Sequence, residues 1–337
     1  MKKILALCAL CVLLIIPQTG CGKEAQVSQD AFMLDTDCTV TIYNIDKSKG
    51  EELCRQTIDL CKNYEKKLSK TVRGSDVDRI NRAGGQTVTV GSDTVRLLRL
   101  GIEMSRRTDG LFDVTVGRLT DLWDFKSEHP KVPSAAKIRA AVKTVGYRNI
   151  HISGRRVRLS NPGTKIDLGA IAKGYIADRA SEYLKKQGVE QAILNFGGNV
   201  VTIGSKDGGN PWNVGIERPF TDRSEVIGST EVHEAAVVTS GIYERKFKVN
   251  GKLYHHIINP RTGYPIENDI EADTIVGPGD SSARCDALST ACLLLGSKKG
   301  RALVEQEDGY EALIIKRDDS ILKTKGMNFT ASDGEEK

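Results

Sequence analysis

Apolar and polar positions along the chain change period several times, and each change predicts an element. Within Phe32–Tyr43, the run Thr39, Val40, Thr41, Ile42, Tyr43 alternates with the period of two expected of a half-buried strand. From Glu51 to Lys70 the period lengthens, and Leu53, Thr57, Leu60, Cys61, Tyr64 and Leu68 fall on one face of an amphipathic helix. Ser75, with Asp78 three residues on, resembles a capping box. A short strand at Thr87–Val90 precedes a helix that Ser92 caps, that runs to Arg107, and that Thr108-Asp109-Gly110 stops. Another helix is predicted over Ser134–Val145, ended by Gly146, and Arg148–Ile152 with Val157–Ser160 forms a hairpin around Ser153-Gly154.

The turn Asn161-Pro162-Gly163 leads into K-I-D-L-G-A-I-A-K-G-Y-I-A-D, Lys165 to Asp178. Gly169-Ala170 permits a sharp bend after Ile166, and helix-period residues Ile171, Tyr175, Ile176 and Ala180 follow, so a strand is predicted to bend into a helix over Asp167–Gln187. Strands then dominate: Gln191–Phe196, Val200–Ile203, Trp212–Glu217, Ser224–Val232, Ala236–Thr239, Lys246–Val249, Leu253–Ile258 and Ile270–Val276, with Asn250-Gly251 a strong hairpin turn. A helix over Ser282–Leu295, a shorter one from Ser297 and a strand at Glu311–Ile315 close the chain. Antiparallel strands with helices laid against them predict an α+β fold.

The N-terminus belongs to none of these elements. Lys2 and Lys3 precede an apolar run from Ile4 to Ile16 that is short for a membrane span, the form of a secretory signal peptide over residues 1–20. Thr19-Gly20 before Cys21 resembles a bacterial lipobox, with Gln18 departing from it at a position that is usually apolar. Lipidation of Cys21 would export the chain and anchor it on the extracytoplasmic face of the cell membrane, with residues 21–31 as a tether and 32–337 as one domain. Ordinary cleavage to a secreted protein is the alternative. Loss of Lys2 and Lys3 with the signal lowers the formal net charge from +5 to +3, weak for a nucleic-acid binder. Past Cys21 stand Cys38, Cys54, Cys61, Cys285 and Cys292; the heptad spacing within each of the last two pairs on predicted helices suits small core residues, while a disulfide stays open in an exported chain.

Two stretches carry candidate chemistry. The bend near Gly169 gathers backbone amides and a positive helix end, with Asp167 before it and Lys173 a turn inside, which suits a phosphate-bearing ligand and equally suits a tight packing corner. In G-D-S-S-A-R-C-D-A-L-S-T-A, Ser281 or Ser282 can cap the helix, and Asp286, Ser289 and Thr290 share one helical face. One carboxylate and two hydroxyls are hard ligands right for Mg²⁺, although a capped amphipathic helix with incidental polar residues reads the same way. No G-x-G-x-x-G after a strand, no G-x-x-x-x-G-K-[ST] and no G-x-S-x-G occurs, which removes support for Rossmann, P-loop and serine hydrolase chemistry. His255 and His256 lie in the predicted strand Leu253–Ile258 and point to opposite faces, so only one can enter a shared site; His256, directly before I-I-N-P-R-T-G, is the candidate base, with an unperturbed pKa near 6.5.

G-L-F-D-V-T-V-G, K-I-D-L-G-A-I-A-K-G-Y-I-A-D, L-N-F-G-G-N-V, H-I-I-N-P-R-T-G and D-A-L-S-T-A, in that order, resemble the ApbE family of FAD:protein FMN transferases, over about Phe32 to Leu322. The resemblance implies an α+β fold with a T-fold-like core of antiparallel strands and packed helices. It implies a Mg²⁺-dependent enzyme that splits FAD and attaches FMN to a threonine or serine of an acceptor, a membrane-associated redox protein. Carried over residue by residue, it implies metal ligation by the Ala170 carbonyl, Asp286 and Thr290, with Ser289 adjacent. Flavin contacts fall on Met33, Leu111, Phe112, Asp113, Asp167, Lys173 and Ile257, and His256 matches the proposed base. In Leu68-Ser69-Lys70-Thr71, Thr71 replaces an aromatic residue that the family often stacks near the nucleotide. Two rival functions remain: a Mg²⁺-dependent FAD pyrophosphatase, and a flavin-binding lipoprotein without chemistry.

Overall fold

The computed structural model describes residues 24–221 and 225–332. An eight-stranded antiparallel sheet runs through it in the order Glu24–Met33, Thr36–Ile45, Ala192–Phe196, Asn199–Ile203, Ala235–Gly241, Ile270–Pro278, Glu311–Lys316 and Ile321–Lys323. Period-two burial sets one face inward: Cys38, Val40 and Ile42 on the second strand, Val201 on the fourth and Ile314 on the seventh are buried together in the main core. Helices Lys47–Leu68, Ala172–Lys186 and Ser282–Leu295 close that face. The opposite face meets a small sheet of Trp212–Glu217, Val226–Val232 and Thr330–Ala331 through Ile216, Ile227, Leu313 and Ile315. The expected α+β architecture of antiparallel strands and packed helices is what the chain adopts.

Several sequence-based boundaries move. Residues 24–31, expected as tether, belong to the strand Glu24–Met33, which pairs along its length with Thr36–Ile45 through a turn at Leu34 and Asp35, both at positive φ. This edge strand was hidden because Val27 and Met33, which it buries, are separated by Ser28-Gln29-Asp30, leaving no apolar alternation to see in the sequence. The helix expected from Asp167 begins at Ala172, and the strand expected over Leu253–Ile258 ends at His255. Gly91, not Ser92, is the N-cap of the helix Ser92–Arg107. Ser75 does cap its helix by accepting from the Asp78 amide, but the Asp78 carboxylate reaches Gly74 N–H rather than Ser75. Cys38, Cys54, Cys61, Cys285 and Cys292 are buried free thiols, as expected of core residues. The signal segment, Cys21 and Ser224 lie outside the described residues.

Candidate active site

The Lys165–Asp178 stretch is built from its neighbours. Val116 bridges in parallel to Lys165, Asp167 N–H donates to Val114 O (2.7 Å) and Gly117 N–H to Lys165 O (3.0 Å), so G-L-F-D-V-T-V-G lies alongside K-I-D-L-G. Leu168 O then accepts from both Ile171 and Ala172, which tightens the turn before the helix. In a continuous helix Gly174 N–H would bond the Ala170 carbonyl; here it donates to Asp286 Oδ2 at 2.9 Å. That contact needs a glycine, because a Cβ at Gly174 would stand 2.2 Å from the Ser282 carbonyl oxygen. One turn in, Lys173 Nζ donates to Gly197 O at 3.0 Å and so holds the L-N-F-G-G-N-V loop. Gly197, at φ +59°, presses against Thr36 at the end of the turn that follows Met33.

The helix Ser282–Leu295 enters the same place. Ser281 occupies the N-cap without a side-chain cap bond, and the first amides, Ser282 and Ala283, are taken instead by the two oxygens of Asp178 (2.7 and 3.0 Å). Burial raises Asp178 to about 6 although both amides pull the other way. Ser282 Oγ donates to Asn199 Oδ1 at 3.1 Å. Asp286 is buried; burial raises its carboxyl, against the pull of Lys173, Gly174 N–H and Asn199. Ser289 is fully buried with a hydroxyl lacking a hydrogen-bond partner, and Thr290 is half-buried. A hard cation fits this donor set: one carboxylate, two hydroxyls and the Ala170 carbonyl released by Gly174 are oxygen ligands. Among the described residues no cluster of three or more His, Cys, Asp or Glu offers a competing site.

The two adjacent histidines have different surroundings, and strand alternation does not set them, since the strand ends between them. His255, the last strand residue, is buried with Nε2 3.0 Å from Ile266 O, and burial brings it down to about 4. His256 lies past the strand end, its backbone N–H donating to Arg245 O at 3.1 Å. Its imidazole is depressed to about 3 by burial first, then by Arg245, His255 and Lys173, so the expected unperturbed value is not met. Lys173 acts on the His256 imidazole and not on that of His255. After it, Ile257 is buried and accepts from Ile266 N–H, and the Asn259–Gly263 turn is tied back by Trp123 Nε1–H donating to Gly263 O (2.7 Å).

Asp167 and the Leu111–Asp113 run lie on two neighbouring segments, joined by the Asp167–Val114 backbone bond and the Val116–Lys165 bridge. Burial alone would raise this carboxyl, but Lys70 Nζ (3.0 Å), Thr120 Oγ1 (2.6 Å) and Gly169 N–H (2.9 Å) hold it below the usual carboxylate range. Lys70 also donates to Asp121 (2.7 Å). Thr71, where an aromatic ring was expected, is exposed and bonded to Ser69. Asp113 faces inward: its oxygens accept from Thr115 N–H and Oγ1 and from Tyr147 N–H (2.8, 2.6 and 2.8 Å), so it braces its own turn. Phe112 is buried and Leu111 half-buried beside it. A cleft of about 390 Å³ lined by Tyr254, His255, Tyr264 and Arg317 includes none of Lys173, Asn199 or Asp286 and is a separate feature.

Five segments dispersed over the chain thus converge, and the comparison with known proteins agrees. The ApbE family profile matches residues 34–314. The chain belongs to the ApbE family. An FAD:protein FMN transferase of Klebsiella pneumoniae (strain 342) is 35% identical over 298 residues, 88% of this chain and 90% of that protein. Another from Treponema pallidum (strain Nichols) is 31% identical over 330 residues, 91% and 90% of the two chains. Among solved structures, the ApbE protein of Thermotoga maritima superposes with a TM-score of 0.80 at 34% identity, covering 89% of this chain and 97% of that one. The flavin transferase ApbE of Vibrio cholerae superposes at 0.77 and 28% identity, covering 92% and 98%. The ApbE motifs held residues that sequence reasoning passed over: Asp178 and Asn199 stand inside quoted motifs, while Lys70 and Thr120 are polar residues among other polar residues, with nothing in their own segments to show that they converge on Asp167.

Proposed function

We propose that this chain transfers FMN from FAD to a threonine or serine hydroxyl of an acceptor flavoprotein, releasing AMP, with Mg²⁺ at the diphosphate. It does so outside the cytoplasm, anchored through lipid on Cys21. What supports this function is that Lys173, which donates to Gly197 O, acts electrostatically on both Asp286 and His256, so that charged or titratable groups of three separate motifs share one field. The relatives' names, FAD:protein FMN transferase, support the transfer of FMN from FAD to a protein.

The acceptor hydroxyl oxygen attacks the flavin-side phosphorus, the bond from that phosphorus to the bridging oxygen breaks, and AMP leaves. His256 is neutral and takes the hydroxyl proton. Its depressed basicity reflects burial beside Arg245 and Lys173, and the negative diphosphate of a bound substrate reverses the part due to those cations. Lys173 neutralises charge that builds on the diphosphate, and the helix start at Ala172 adds its dipole. Asp286, Thr290, Ser289 and the Ala170 carbonyl would hold Mg²⁺, which when bound supplies Lewis-acid stabilisation worth several kcal/mol. Met33, Leu111, Phe112, Asp113, Asp167 and Ile257 frame the flavin nucleotide, Asp113 by bracing the turn that carries Phe112.

The deciding experiment incubates the protein with FAD, Mg²⁺ and a fragment of a membrane-associated flavoprotein, then weighs the fragment. One covalently added FMN, abolished by chelator, is the expected result. Free FMN and AMP with an unmodified fragment would make the chain a pyrophosphatase. Unchanged FAD would make it a binding protein.

A further inference from the structure

One buried acid has no place in the site described so far. Asp273 sits on the strand Ile270–Pro278 with 1% of its surface exposed, and neither carboxyl oxygen has a hydrogen-bond partner among the described residues. Its cross-strand partner is Ser240. Above it lies Ser289 of the helix Ser282–Leu295, 0% exposed, whose hydroxyl is beside the carboxyl yet lacks hydrogen-bond geometry and any other partner. Two neighbouring buried groups are therefore both unsatisfied, in a core where such groups are rare and costly.

A helix packed on a sheet has cheaper ways to fill that space. A valine at 273 would match its same-face neighbours Ile275 and Ile314, which belong to the main core. The position of Ser289 gives the arrangement a purpose, for it stands between Asp286 and Thr290, three residues after the first and one before the second. A serine hydroxyl has one proton and two lone pairs. If nothing takes the proton, the hydroxyl is free to turn it toward a cation and repel it. A carboxyl oxygen behind the hydroxyl accepts its O–H as a hydrogen bond and leaves lone pairs for the metal, as outer partners of ligands commonly do; burial raises the Asp273 carboxyl well above the usual range, and donation from Ser289 pulls it the other way.

We propose that Asp273 is a positioning residue for the cation site, accepting the Ser289 O–H as a hydrogen bond so that the Ser289 oxygen faces a divalent ion held by Asp286 and Thr290. This rests on the metal reading of that site above.

The test uses the full chain with Mg²⁺ as the probe, titrated by calorimetry with FAD present, beside thermal unfolding without metal. Asp273→Asn and Ser289→Ala should each weaken Mg²⁺ binding about ten- to a hundredfold. Because the two act through one contact, the double variant should bind no more weakly than the worse single one. Metal-free Asp273→Val should melt at or above the native temperature, since an unsatisfied buried carboxyl is replaced by an apolar group; should that variant not fold, Asp273→Asn decides. An Mg²⁺ affinity within twofold of native in Asp273→Asn overturns the proposal, as does a fall in metal-free stability that parallels the loss of binding. A native chain that binds no Mg²⁺ would instead overturn the metal reading from which this one starts.

Discussion

His255 and His256 are adjacent, both neutral in the folded chain, and unequal in what they touch. His255 spends Nε2 on the Ile266 carbonyl, whereas His256 stands within the field of Lys173. His256→Ala should therefore lower FMN transfer by about 10²- to 10⁴-fold with FAD affinity little changed, and His255→Ala should leave transfer near native. Equal transfer rates in the two variants, measured with an acceptor peptide, would show the base to be misassigned. His255 has a different signature, in stability. Its pKa falls from the ordinary 6.5 to about 4 on folding, so its contribution is complete above pH 6.5 and is lost as pH falls toward 4. Across that window His255→Asn should flatten the pH dependence by up to about 1.4 kcal/mol per pH unit, read from urea unfolding at a series of pH values. Asp178, raised to about 6, works oppositely, stabilising below that pH and losing its contribution as pH rises through it.

At the scale of elements, the contact between the helices Ala172–Lys186 and Ser282–Leu295 decides whether Lys173 and Asp286 face one point. In Gly174→Ala the new methyl meets the backbone at Ser282, which cannot swing aside as a side chain does. The expected result is a loss of about 1–3 kcal/mol in thermal unfolding together with FAD turnover. Asp178→Ala, which strips the cap from the second helix, should lose about 1–2 kcal/mol; unchanged melting temperatures in both would mean that the helices are held by other contacts. The helix Ser282–Leu295 and the strand Lys246–Val249 were legible to the residue, because each has a sharp start and stop in Ser281, Gly296 and Asn250-Gly251. Helix onset at Ala172 was not, since Leu168–Ile171 keep helical spacing while their backbone forms a turn. Nor was the strand end at His255, where the apolar Ile257 and Ile258 continue the alternation but pair with the Pro265–Ile266 segment. Site residues carried by motifs could be named from sequence; Lys70 and Asp273 could not, because their partners come from distant segments.

At the scale of the whole molecule, the first described strand begins at Glu24, three residues beyond Cys21. An extended chain of that length spans at most about 11 Å, so a lipid on Cys21 would hold the sheet edge close against the bilayer rather than on a long leash. Cys21→Ala should release the protein from membranes and slow modification of a membrane-embedded acceptor, while a soluble fragment of the same acceptor is modified at the native rate. A native protein found wholly in the soluble fraction would remove the anchor from the account. The two bonds that join the site helices, Asp178 to Ser282 and Gly174 to Asp286, connect residues 104 and 112 positions apart. Contacts of that separation form late, after the strands between them have paired. A partly synthesised chain therefore has no place for a dinucleotide, and ligand capture should mark the moment at which folding is complete.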